Sequence, residues 1–314
     1  MARRAPAHPG LSAGGEAVLL VNAAARKGDA ALSAARAALE GAGVVLAEAR
    51  AIEPGALREA VEAAVAAGAA RVIVGGGDGS LAAAASALAG TGAALGVLPL
   101  GTANDFARTL RIPDDLAGAA RVIARGRVRR VDVGWAGGRA FLNAASVGAS
   151  SELTRRLDDG LKRRAGTLAY PVAGAAAAGQ PPFRARLEVD GRTEELRALQ
   201  VVVGNGRYHG GGRLIAPRAR ADDHLLDVYV LTTASSPGAP RLRDRLRDLA
   251  GLARYALLLL RGRHLEHPGV LHVRATRAAL WTDPPLEIDA DGELAGSTPA
   301  EFRVSPGQLA VLAP

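Results

Sequence analysis

Two short segments combine glycine, hydroxyl and carboxylate, a mixture suited to holding phosphates. Gly75-Gly76-Gly77-Asp78-Gly79-Ser80 follows an apolar run, Arg71–Val74, and precedes a helical pattern. Glycines let a backbone approach a ligand closely, and amides at a helix start attract phosphate oxygens. Pro99-Leu100-Gly101-Thr102-Ala103-Asn104-Asp105-Phe106 repeats the arrangement after the run Leu95–Leu98 and opens another helical pattern. The first segment has the spacing of neither a Walker A loop nor a dinucleotide GxGxxG, and alone such a segment is more often just a tight turn. Together the two segments are expected at the carboxyl edge of one parallel sheet, where such sheets bind ligands. There Asp78 and Asp105 can organise magnesium and water around phosphates. Far downstream, Asp291-Gly292-Glu293 adds a carboxylate that spacing alone leaves open between a solvated turn residue and a proton acceptor.

The elements that must position these residues follow from periodicity. From Ala17, short strand-like runs at Ala17–Val21, Val44–Leu46, Val72–Val74, Leu95–Leu98 and Arg129–Val133 alternate with helical patterns, including one from Asp114. Such alternation predicts a parallel sheet. Leu57, Val61 and Val65 recur at a helical interval behind Pro54, which predicts a helix with one buried face. After Asp132 the pattern changes to strands at Phe141–Ala145, Leu187–Val189, Ala198–Val203, Leu226–Leu231, Val270–Arg274, Leu286–Ile288, Phe302–Val304 and Leu309–Leu312. These predict a second, mainly antiparallel domain, with a hairpin turn at Asp190-Gly191. Arg241 to Arg263 is the long helical pattern of that half. It reads either as a core-packed helix with a charged solvated face or as one lying on an anionic membrane with arginines toward the head groups.

Composition narrows the partners. With 314 residues the chain suits two domains of about 100–200 residues each. The net charge of +8 points to an anionic partner, whether nucleotide phosphates, nucleic acid or an acidic membrane. Lysine occurs only at Lys27 and Lys162, so part of this arginine excess reflects compositional bias. No basic aromatic interleaving surrounds Trp135 or Trp281, which read as packing residues, and nucleic acid is not expected as a partner. The absence of cysteine excludes disulfides and thiolate chemistry and fits a reducing cytoplasm. Residues 1–15 have no apolar core behind their arginines and read as a disordered tail. Tyr255–Leu260 falls far short of the roughly 20 residues that span a bilayer.

In sequence order the chain also carries Val21-Asn22 with Lys27, Asp132-Val133-Gly134, Phe141-Leu142-Asn143, Val203-Gly204-Asn205-Gly206, Gly210-Gly211-Gly212 and Pro217-Arg218-Ala219. With the two glycine loops and Asp291–Glu293, this ordered set resembles the diacylglycerol kinase catalytic family, particularly bacterial soluble lipid kinases related to sphingosine and ceramide kinases. The resemblance runs from Ala17 to Pro314. It implies ATP and Mg²⁺ as cofactors and a diacylglycerol-like lipid alcohol as acceptor. It places the nucleotide at Asn22, Lys27, Gly75, Gly76, Gly77, Asp78, Gly79, Ser80, Gly101, Thr102 and Asn104. It makes Glu293 the general base, with Asp78 and Asp105 in the catalytic set. Asp78 would also serve the metal, and a second, structural Mg²⁺ would sit on Asp223 with the backbone carbonyls of Arg220 and Leu225.

The fold implied is α/β, a Rossmann-like parallel-sheet nucleotide-binding domain at residues 17–132 followed by an antiparallel β-sandwich domain at residues 133–298. Residues 299–314 would return to the first domain, and ATP is expected in the cleft between the two. A cytoplasmic protein that meets an anionic membrane surface peripherally is expected, with oligomeric state open, a homodimer included. The chain departs from the family at Ala23, where Pro is usual, at Arg26 near a usual Gly, and at Ala83, where many relatives carry Glu. His224 replaces a usual Gly, and a positive φ there would cost histidine more than glycine. Two rivals stay open. An NAD kinase shares the GGDG turn, and a catalytically weak lipid-binding or regulatory module would explain Ala23, Ala83 and His224.

Overall fold

Runs of apolar residues with no polar face become strands covered on both sides, and the first part of the chain shows this. The computed structural model describes residues 16–24, 28–53, 55–148, 182–233 and 242–314; Lys27, Pro54, Lys162 and Arg241 lie outside the described residues. Contacts divide the chain into two units, Met1–Val131 with Gly307–Pro314, and Asp132–Pro306.

In the first unit, β1 (Ala17–Asn22), β2 (Leu46–Ile52), β3 (Arg71–Gly76) and β4 (Ala94–Pro99) alternate with α1 (Gly28–Gly41), α2 (Leu57–Ala66), α3 (Asp78–Leu88), α4 (Asp105–Thr109) and α5 (Leu116–Arg125). The strands pair in parallel in the order β4-β3-β1-β2. Leu19, Leu20, Ile73, Val74 and Leu95 are fully buried in the three inner strands, whereas the edge strand β2 is exposed or half-buried, with only Ile52 buried. The expected strand at Val44–Leu46 begins only at Leu46. Val44 instead closes α1, its amide donating to the Leu39 carbonyl at 2.9 Å behind Gly43 at φ +86°. Helix α5 starts at Leu116 and not at Asp114 because the Asp115 carboxylate caps it, accepting from the Gly118 amide at 2.7 Å. On α2 the buried face is Leu57, Val61 and Ala64, with Val65 turned partly outward, as a 3.6-residue repeat requires.

The strand β5 (Arg127–Ala136) leads into the second unit, followed by β6 (Arg139–Phe141), β7 (Ala144–Gly148), β8 (Phe183–Val189), β9 (Arg192–Gly204), β10 (Tyr208–His209), β11 (Arg213–Leu214) and β12 (Leu226–Thr232). Helix α6 (Leu242–Leu260), a short 3₁₀ turn and β13 (Val270–Ala275), β14 (Arg277–Asp283), β15 (Glu287–Ala290), β16 (Glu293–Ser297) and β17 (Ala300–Ala313) complete it. The order is β16-β15-β7-β9-β8-β14-β17, with β12 against β9 and β13 against β12, antiparallel where these strands pair within the unit. Phe141, Phe183, Val201, Val228, Leu280 and Phe302 form its core. The hairpin at Asp190-Gly191 forms with both residues at positive φ, 48° and 78°, joining β8 to β9. Arginines lie over both tryptophan rings, Arg303 over Trp135 at 5.1 Å and Arg186 over Trp281 at 5.2 Å.

Three differences from the sequence reading stand out. The expected strand Phe141–Ala145 breaks at Leu142-Asn143, and the expected pair Phe302–Val304 and Leu309–Leu312 fuses into the single strand β17. Strands β10, β11, β14 and β16 have no counterpart in that reading. The far end of β17 pairs in parallel with β4, Ala310 opposite Ala94 and Val311 opposite Leu95. No helix among the described residues is long and apolar enough to cross a membrane.

Candidate functional site

The parallel register sets the ends of three strands side by side: Val21 opposite Gly75, Gly75 opposite Leu98, and Gly76 opposite Pro99. The two glycine loops therefore leave the same sheet edge. They meet backbone to backbone at one point, where a Cβ on Gly101 would lie 2.4 Å from the Gly77 Cα. The Leu100 amide donates to the Gly76 carbonyl at 3.0 Å. A side chain at Gly101 would force the loops apart, which is the physical reason for glycine there.

Asp78 ties the loops together. Its carboxylate accepts from the Asp105 amide at 3.1 Å and the Phe106 amide at 2.9 Å, so the first turn of α3 caps α4. Asp105 is buried behind this contact. An ionised carboxylate has acceptor capacity beyond two such bonds, so Asp78 can still face a cation or water. Asn104, at φ 51°, uses its side chain within the loop, accepting from the Gly101 amide at 3.0 Å and donating to the Gly101 carbonyl and to Asp114, each at 3.2 Å. Asn22 does the same for the neighbouring strand, donating to the Ser80 Oγ at 2.8 Å while accepting from the Ala24 amide at 2.9 Å. Asn22, Asn104 and Asp78 therefore shape the loops, whereas Thr102 is exposed on them. Glycine backbone beside the first turn of α3 suits an anionic group such as phosphate.

In the second unit the sequence motifs lock into one another. The buried Asp291 accepts from the amides of Leu142 at 2.6 Å, Asn143 at 3.0 Å and Ala144 at 3.0 Å. That grip opens the break between β6 and β7. Asn205, fully buried, donates its side-chain amide to the carbonyls of Asp132 at 3.2 Å and Leu142 at 3.0 Å, and its own backbone amide bonds the Asn143 carbonyl at 2.8 Å. Asp132, Leu142-Asn143, Asn205 and Asp291 are thus one network drawn from widely separated segments. Glu293, two positions beyond Asp291 and exposed, pairs with the Arg139 guanidinium. His209 lies with its Nε2 3.9 Å from Asp289, whose carboxylate accepts from the Gly292 amide at 3.1 Å.

The expected structural-metal position is crowded with nitrogen. Asp223 accepts from the Leu225 amide at 3.3 Å and from the guanidinium of Arg274, whose Nε also lies 3.7 Å from Asp227. Burial raises the Asp223 carboxyl above the ordinary carboxylate range, against the lowering effect of Arg274. Asp227, fully buried, meets His272 Nε2 at 2.6 Å and the Tyr229 hydroxyl at 3.2 Å. Burial, then Asp227, pushes the Tyr229 phenol well above its usual value. His224 has φ +66°, the conformation in which glycine would be easier. Its backbone amide and its Nδ1 both reach Asp132, at 2.7 and 2.9 Å, which offsets the strain. Arg220 lies near Asp222 at 3.6 Å. No group of three or more acidic or histidine side chains poised for a metal occurs among the described residues.

Arg139, Arg274 and the anchoring role of Asp291 escape sequence reasoning. Arg139 and Glu293 are 154 positions apart, and nothing in residue type links them. The strand register could have suggested Arg274, since it stands opposite Asp227 on β13, but only once β12 and β13 are known to pair.

Comparison with known proteins agrees with this architecture. Residues 16–136 match the diacylglycerol kinase catalytic domain, and residues 143–313 match the YegS C-terminal NAD kinase beta sandwich-like domain. A Pseudomonas aeruginosa protein named "Probable lipid kinase YegS-like" is 37% identical over 265 residues, covering 83% of this chain and 82% of that protein. The diacylglycerol kinase of Bacillus subtilis is 31% identical over 235 residues, covering 74% of this chain and 73% of its own. The crystal structure of a diacylglycerol kinase from Bacillus anthracis superposes with a TM-score of 0.74 at 26% identity, covering 95% of this chain and 97% of that one. The parallel sheet with its paired glycine loops, followed by an antiparallel β-sandwich-like unit, is that of a lipid kinase, and the chain belongs to the diacylglycerol kinase catalytic family.

Proposed function

We propose that this chain transfers the γ-phosphoryl group of Mg-ATP to a hydroxyl of diacylglycerol or a related lipid. The observation that carries the reading is the backbone-to-backbone packing of Gly77 on Gly101 at the carboxyl edge of the first unit's sheet. It leaves glycine backbone beside the start of α3, and Asp78 fixes the second loop to it. In this reading Gly75–Ser80, Gly101 and Thr102 hold the triphosphate, and Asn22 and Asn104 keep the loops in shape. Lys27 is proposed near the phosphates on the strength of the family resemblance. Asp78 and Asp105 would organise a Mg²⁺ ion and its water beside the nucleotide, and that ion would supply charge neutralisation for the transfer. The lipid oxygen forms the new bond to γ-phosphorus, the bond to the bridging oxygen of ADP breaks, and Glu293 takes the hydroxyl proton.

The test is direct. Purified protein, γ-labelled ATP and a total lipid extract are incubated together, and the labelled product is identified by mass, with NAD offered in a parallel reaction. Label is expected in a phosphorylated lipid. Label in NADP would establish the soluble-substrate alternative, and vesicle binding without transfer to any lipid would establish the weak-module one.

The acceptor lies in a bilayer, so we also propose peripheral binding to an anionic membrane through the end of α6. The reading rests on Leu257 and Leu260, exposed by 48% and 64%, beside the exposed Arg254 and Arg261. Leucines flanked by arginines suit the boundary between acyl chains and anionic head groups. Replacing both leucines by glutamate is expected to weaken co-sedimentation with phosphatidylglycerol vesicles by about tenfold or more. Unchanged binding would remove this helix from the membrane contact.

A further inference from the structure

We infer that in this chain Arg274 does the structural work of a divalent ion, so that the second unit folds without a metal beside Asp223. The cluster holds three carboxylates, Asp132, Asp223 and Asp227, two of them fully buried. Ionised carboxylates taken from water need positive charge and donors close by. Each has a nitrogen partner from this chain: His224 on Asp132, Arg274 on Asp223, and His272 on Asp227.

The partners are built into the sheet. Antiparallel pairing of β12 with β13 sets Asp227 opposite Arg274 and Tyr229 opposite His272. The Tyr229 and His272 rings stack at 4.5 Å, which holds the imidazole toward Asp227. A guanidinium is a planar, permanent cation with several donors, able to serve two carboxylates at once. One Asp227 oxygen, Oδ2, is buried without a hydrogen-bond donor and lies 3.7 Å from Arg274 Nε. The arginine therefore places one positive charge beside both Asp223 and that oxygen.

A magnesium ion in the same place would need about six oxygen ligands in a near-octahedral shell. Here Asp223 already spends one oxygen on the Leu225 amide and the other on Arg274. A divalent ion entering there would also meet the arginine's own charge at close range.

The inference does not depend on catalysis, and its test avoids activity. Both tryptophans of the chain, Trp135 and Trp281, belong to the second unit, so their fluorescence follows its unfolding. The full-length chain, free of nucleotide, is melted in EDTA and in millimolar Mg²⁺, and its bound metal is measured after dialysis. Wild type is expected to retain no stoichiometric metal and to melt at the same midpoint, within about 1 °C, in both buffers. Arg274→Gln is expected to lower the midpoint by about 4–8 °C, with Arg274→Lys losing less. Should Arg274→Gln fail to fold, the Lys variant and the wild-type comparison still decide. A wild-type midpoint raised by Mg²⁺, with the rise abolished in Asp223→Asn, overturns the inference, as does Arg274→Gln melting where wild type does.

Discussion

Glu293→Gln is expected to reduce lipid-dependent turnover by about 10²- to 10⁴-fold, the usual contribution of a general base, while nucleotide affinity stays near its wild-type value. Glutamine keeps the length and shape of the side chain and loses its charge and with it the capacity to take a proton. The carboxylate is exposed and paired with Arg139, so its removal should cost little stability, since exposed ion pairs contribute about 0–1 kcal/mol. The separation is measurable: calorimetric titration with ATP on one side, turnover on saturating lipid on the other. A variant with full turnover would remove Glu293 from the proton-accepting role. One with lost nucleotide affinity would place it in binding instead.

The second large effect concerns folding. Asp291→Ala is expected to destabilise the second unit by about 3–5 kcal/mol, because it strips the acceptor from three neighbouring backbone amides, and each stranded buried donor costs about 1–3 kcal/mol before relaxation. Urea unfolding followed by tryptophan fluorescence would measure it. Asp291→Asn keeps an acceptor oxygen but turns an NH₂ group toward one of the amides, so an intermediate loss is expected. A stability unchanged in Asp291→Ala would mean that the break between β6 and β7 is held by Asn205 alone.

This pair of residues shows what can be read from the chain and what cannot. Asp291-Gly292-Glu293 attracts notice as a motif, yet the first residue grips amides 147 to 149 positions away, and main-chain partners leave no residue-type signature. The glycine loops are legible because glycine at a strand end, followed at once by helical periodicity, has few structural uses. Their mutual contact is not, since it depends on a parallel register that places Gly76 against Pro99. Strand β14, with the sequence RAALWTD, escapes because its alternation is short and its edges carry charge. Strand β17 reads as two because Pro306-Gly307 looks like punctuation, whereas the strand carries Gly307 at φ +56° and continues. The departure at His224 points to strain in the sequence, and the two bonds to Asp132 that offset it arise only in the folded chain.

The parallel pairing of Ala310 and Val311 with β4 has a consequence for biosynthesis. A ribosome finishes β4 more than two hundred residues before it makes the segment that covers that strand's outer edge. During this interval an apolar strand offers unpaired amides and carbonyls to any neighbour, a recognised route to intermolecular association. Production of this chain should therefore be sensitive to pauses or breaks late in translation, with fragments ending before Ala310 prone to collect in the insoluble fraction.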